Sequence, residues 1–392
     1  MPQLAPDLMQ RPQSTARYLP ELECLRGIAI ALVFVYHAAG FIDGSHGQRL
    51  GVWVGPWRAF VQAGHTGVSL FFILSAFLLS LPFLEEAAGG KPVDRKRYYE
   101  RRALRILPLY WLVVVATTVL MAHGVHDLLK CIPYLIFLSS FPRFNALLAP
   151  LNGVWWSLAT EVQFYLLLPL LPYLLQRRRI GVTAVLLFGG AYVWIAAGVA
   201  LPISMGAELA LRQSVLGRAP MFAAGIVCAW LYLRYAQRFQ CWAASSVLRS
   251  GGGDACSFAV VLLFGWLLRY VAFAGLWEME LTAHAWHVAE AAFWAATVWM
   301  VLLAPLRLRW LIVNPVVAAV GRWSYSIYLL HLPFLYLAFG LLPPRDQRTF
   351  AGWEAQDFAI LAALALGTTA IAALSYHFVE KPFLVRKARL GR

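Results

Sequence analysis

Ten stretches of this chain are apolar over roughly the 20 residues that a helix needs to cross a ~30 Å hydrocarbon core, and no other feature narrows its fold so far. They fall at 24–42, 64–84, 106–122, 155–175, 180–201, 217–234, 257–277, 285–304, 321–342 and 358–378. Backbone in lipid must satisfy its own hydrogen bonds, so such runs are helical. The expected fold is an all-α polytopic membrane protein with about ten transmembrane helices. Composition agrees: 61% of residues are hydrophobic and 13% charged, against about 25% charged in soluble domains. Disordered and collagen-like classes are excluded on the same ground. Five scattered cysteines without a CxxC pair indicate neither a disulfide framework nor a metal site.

The loops orient the helices. The formal charge of +14 would suggest nucleic acid in a soluble protein, but in a membrane protein cytoplasmic loops explain it. With the N-terminus inside, 23 of the 33 Lys and Arg residues fall in one alternating set of loops and 8 in the other. That bias places both termini in the cytoplasm of a multi-pass protein of the cell (inner) membrane. The segment 131–149 is apolar but broken by Pro133, Pro142 and Arg143. A crossing there would turn Arg177–Arg179 and the basic tail outward, so it is read as re-entrant or interfacial. The chain up to Pro20 is polar and is no cleavable signal peptide, so the first apolar run stays as a helix. By eye the chain carries no internal or inverted repeat, which weighs against a transporter.

Ionisable residues inside spans point to function. Arg26 and His37 are eleven residues apart on the first helix, which places them on one face with ~16 Å between them along the axis. Glu161 lies about six residues into a span that begins behind Trp155 and Trp156, ~9 Å deep. Counted across the core, it reaches the depth of His37, where a carboxylate would fix the imidazole tautomer and support a general base. Arg102 and Arg105, three apart at the foot of the third span, share a helical face and present forks suited to phosphate. Tyr325, Tyr328 and His331 form a polar stripe on a later span; the tyrosines read as interhelical ties and His331 as the functional member. Ser375, Tyr376, His377 and Glu380 end the last span, with Glu380 expected to pair with an arginine.

Six ordered blocks carry a resemblance. They are Glu21–Ala29 with Tyr36-His37-Ala38, Gly67–Phe77, Arg102–Trp111, Trp156–Tyr165, Ser324–His331 and Ser375–Phe383. Together they resemble acyltransferase family 3, integral-membrane O-acyltransferases acting on O-antigen, peptidoglycan, other glycans and macrolides. The family's Ser-Gly-Phe is Ser75-Ala76-Phe77 here. The resemblance implies transfer of an acyl group, acetyl above all, from cytoplasmic acyl-CoA (acetyl-CoA) to a hydroxyl of a glycan, glycolipid or macrolide-like acceptor, without a metal. It makes Arg26 and His37 functionally required and associates Arg102 and Arg105 with donor binding.

The resulting expectation is one integral-membrane acyltransferase domain over 1–392, in the stand-alone form without a fused extracytoplasmic domain. Coenzyme A phosphates would dock on Arg26, Arg102 and Arg105, with His37 as base and Glu161 as its orienting carboxylate. Ser69, Tyr325, Tyr328 and His331 are the substrate or oxyanion candidates. A transporter or flippase of lipid-linked glycans would also place His and Glu in spans, and a non-catalytic receptor stays open too. Neither accounts for the cytoplasmic arginine pair.

Overall fold

The computed structural model describes residues 19–42, 61, 63–141, 148, 151–175, 189, 210–245, 247–273, 280–341 and 353–389. Among them, eight helical segments are long and apolar enough to cross a membrane, and a shorter apolar helix covers Gly252–Leu268. The expected span at 180–201 lies almost wholly outside the described residues. The helices used below are α1 (Pro20–Ile42), α2 (Gly67–Ala87), α3 (Arg95–Met121), α4 (Trp156–Leu167, continued by turns to Leu175), α5 (Ala219–Ser245), α6 (Gly252–Phe273), α7 (Glu280–Leu303), α8 (Pro315–Leu341), α9 (Ala355–Ser375) and α10 (Lys381–Arg389).

Sequence periodicity sets which face of each helix turns inward. On α3, Ile106, Leu109, Tyr110, Val113, Val114 and Thr117 are buried, while Trp111, Leu112, Val115, Val119 and Leu120 are exposed. The two sets alternate at three- and four-residue spacing, one stripe for the bundle and one for lipid. The helix starts at Asp94, whose side chain accepts a hydrogen bond from the Arg97 backbone N–H at 3.1 Å.

Helix α1 is central, packed against α8 and α2, while α2 packs against α5, and α8 against α9. Small residues allow this approach, because packing in lipid rests on van der Waals contact. A Cβ at Gly27 would strike the Val317 carbonyl, and one at Gly321 the Glu23 carbonyl, so α1 and α8 touch backbone to backbone. On α2, Ala76 meets Gly225 of α5, where a Cβ would strike the Ala76 side chain and the Ile73 carbonyl. The small residue of that contact sits on the partner helix.

The broken segment after α3 forms short turns at Val125–Leu128, Leu129–Cys131 and Ile132–Leu135. None approaches the length of a span. Side chains satisfy its backbone: Tyr110 Oη donates to the Tyr134 carbonyl at 2.9 Å, and Trp111 Nε1 donates to the Leu135 carbonyl at 3.2 Å. Tyr134 Oη accepts from the Leu148 N–H at 3.2 Å and from Asn152 Nδ2 at 2.8 Å. Irregular backbone is tolerated at membrane depth only when protein covers it in this way.

Candidate active site

Three guanidinium groups converge on one cavity. Arg26 of α1 and Arg102 and Arg105 of α3 line a space of about 430 Å³, mouth included, with Ser75 of α2 and Glu161 and Tyr165 of α4. Arg26 donates to Ser324 Oγ at 3.2 Å and lies over the Phe71 ring at 5.6 Å. Arg105 pairs with Glu380 at 2.9 Å and stacks on Tyr325 at 5.5 Å. Arg102 faces the Tyr165 ring at 5.9 Å, and its buried Nε makes no hydrogen bond. Two like charges ~6 Å apart repel by roughly 3 kcal/mol at an effective dielectric of ~20. Among the described residues that line the cavity Glu161 supplies the only carboxylate, against three arginines, so this pocket is suited to an anion.

Eleven residues along α1, ~16 Å higher, His37 meets His331. His331 Nδ1 lies 3.0 Å from the Ile327 carbonyl and 2.9 Å from the Tyr328 carbonyl. Carbonyls only accept, so this nitrogen carries the proton and His331 Nε2 keeps its lone pair. That lone pair faces His37 Nδ1 at 3.4 Å, and His37 Nδ1 is 2.8 Å from the Val33 carbonyl. Both neighbours accept, so His37 also carries its proton on Nδ1. Among the described residues His37 Nε2 meets no partner, which leaves it with a free lone pair.

Glu161 does not orient that ring. It accepts from Ser75 Oγ and lines the cavity with Tyr165, among the arginines. Glu161 shares the cavity of Arg26, eleven residues along α1 from His37, and Trp155 ahead of it is fully buried, edge-on to Tyr110 and Tyr134. A backbone carbonyl and His331 take the place expected of the carboxylate. Tyr325 donates to the Ile106 carbonyl at 2.7 Å, and Tyr328 donates to the Val154 carbonyl at 2.6 Å, so both tie helices together. Ser69 is buried beside Glu290, away from the arginine cavity.

A second polar cluster went unread in the sequence. Arg218 Nη1 lies 3.1 Å from His287 Nε2, and His287 Nδ1 lies 3.0 Å from Glu290 Oε2. Arg218 also stacks over Trp156 at 5.1 Å. The rule that singled out Glu161, an ionisable residue in an apolar run, applies equally to His287 and Glu290 in the 285–304 stretch.

The family described as "Acyltransferase domain" matches residues 19–377. A protein of Staphylococcus aureus (strain COL) provisionally named as an O-acetyltransferase is 23% identical over 94% of this chain and 57% of its own length. One of Bacillus subtilis (strain 168), provisionally named as the peptidoglycan O-acetyltransferase YrhL, is 24% identical over 93% of this chain and 55% of its own. The O-acetyltransferase OatA of Staphylococcus aureus (strain NCTC 8325 / PS 47) is 29% identical over 41% of this chain and 26% of its own. The chain thus spans little more than half of the first two relatives. No solved structure matches it.

Proposed function

The chain belongs to the acyltransferase-domain family, and from that footing we propose that it is a membrane O-acyltransferase carrying an acetyl group from cytoplasmic acetyl-CoA to a glycan hydroxyl. The observation that carries this reading is the free lone pair of His37 Nε2, held on the same helix as Arg26, with the arginine cavity below it. A donor with a phosphate head and a long neutral arm fits those two positions. The relatives' names point to acetyl as the group and to peptidoglycan-like glycan as the acceptor. The 23-to-8 bias of basic residues supports a cytoplasmic position for the arginines and both termini.

In this mechanism Arg26, Arg102 and Arg105 hold the donor phosphates. His37 Nε2 takes the proton of the acceptor hydroxyl as its oxygen attacks the thioester carbonyl. The tetrahedral intermediate collapses, the C–S bond breaks, and the thiolate receives the proton from His37. The reaction leaves the acetyl ester and the free thiol, with the ring back in its starting tautomer. His331 Nε2 accepts from His37 Nδ1 and so steadies the imidazolium while it lasts.

The test is release of coenzyme A thiol by purified protein in detergent, with acetyl-CoA and soluble peptidoglycan fragments. His37→Gln is expected to lower turnover by about 10²- to 10⁴-fold, with an unchanged melting temperature and unchanged coenzyme A binding. Turnover retained in that variant overturns the base assignment. Wild-type protein that releases no thiol, while moving glycan across vesicles, is a transporter.

A further inference from the structure

The helix after the last span brings one more cation toward the arginines, outside the lining of the cavity itself. Glu380 and Lys387 are seven residues apart, ~700° of helical rotation, so they share a face within ~20°. Glu380 pairs with Arg105, and Lys387 lies within electrostatic range of Arg102, Arg105, Arg101 and Arg26. Helix α10 packs on α3, and Arg101 and Arg102 sit one turn before Arg105. The tail helix therefore runs back along α3 toward its N-terminus, and its lysine arrives among arginines.

Among the described residues, Glu161 and Glu380 are already engaged, Glu161 by Ser75 and Glu380 by Arg105 and Ser326. Arg102 lines the cavity with a buried Nε that has no hydrogen-bond partner among the described residues. Basic residues serving topology or lipid contact alone would point outward, whereas Lys387 is half-buried, on a helix packed against α3 and within electrostatic range of its arginines. A phosphate monoester carries about −1.5 to −2 at pH 7, more than each phosphate of a bridged diphosphate. It is the group best matched to the most crowded end of the seam.

We propose that Lys387, with Arg101 and Arg102, holds the phosphate monoester at the far end of the donor, so that α10 makes the enzyme select a donor with a 3′-phosphate. This rests on the coenzyme A reading above. The probes are coenzyme A and 3′-dephospho-coenzyme A, titrated against purified protein in neutral detergent. Wild type is expected to bind coenzyme A about tenfold or more tighter than the dephospho form. Lys387→Gln should bring the two affinities within about twofold by weakening coenzyme A alone, and Lys387→Arg should keep the preference.

Equal weakening of both ligands by Lys387→Gln, or no weakening of either, overturns the inference while leaving coenzyme A as the donor. Wild type that binds neither ligand overturns the donor reading and this inference with it. A lysine that serves anionic lipid headgroups instead would leave both detergent affinities unchanged and alter coenzyme A binding only in phosphatidylglycerol nanodiscs, which also overturns it.

Discussion

Arg102 and Arg105 stand one turn apart, yet their substitution should read differently. Arg105 is tied to Glu380, whose side chain is 2% exposed, so Arg105→Ala strands a buried carboxylate. A loss of ~3–5 kcal/mol is expected, read as a lowered melting temperature in detergent, together with weaker donor binding. Among the described residues Arg102 forms no ion pair with a carboxylate, and its Nε is without a hydrogen-bond partner. Arg102→Ala should leave the melting temperature nearly unchanged and raise the KM for acetyl-CoA about tenfold or more, with a smaller change in kcat. An unchanged KM removes Arg102 from the donor site. At this scale, spacing along one helix was legible: the Arg26–His37 face, the Arg102–Arg105 pair and a partner for Glu380 all follow from the sequence. Contacts between helices were not. Depth arithmetic placed Glu161 beside His37, but depth does not tell which neighbour a side chain faces, and its starting point, Trp155, is interior.

Among the described helices, α1 and α8 approach backbone to backbone. A Cβ at Gly321 meets the Glu23 backbone carbonyl, which cannot swing aside as a side chain would. Gly321→Ala is expected to destabilise by ~1–3 kcal/mol, seen as a lower melting temperature and reduced activity. Gly340→Ala, lower-risk because nothing lies within 4 Å of its added Cβ, serves as the matched control on the same helix and should be neutral. Apolar runs located nearly every described helix, since a bilayer demands length and hydrophobicity whatever the partners are. Proline and arginine in 131–149 marked the broken segment, and its short turns agree with that reading. Sequence could not supply the packing order, because glycine and alanine permit close approach without naming the partner helix.

For the whole molecule, the uneven loop charges predict an address for every connection. Cys241, near the end of α5, and Cys256, near the start of α6, are exposed on either side of the α5–α6 link, which the bias assigns to the cytoplasm. A membrane-impermeant thiol reagent should label them only after spheroplasts are permeabilised. Lys130→Cys in a cysteine-free background should label in intact spheroplasts, and the reverse pattern inverts the orientation. Within the bundle, one unbroken helix carries both the guanidinium of Arg26 and the imidazole of His37, with its lower half clamped at Gly27. Such a helix behaves as a screw thread: each inserted residue turns the ring by about 100° and lifts it ~1.5 Å. Its reach therefore changes only in coarse steps, and a longer or bulkier acyl group has to be admitted by reshaping the surrounding walls rather than by stretching the gauge between the two residues.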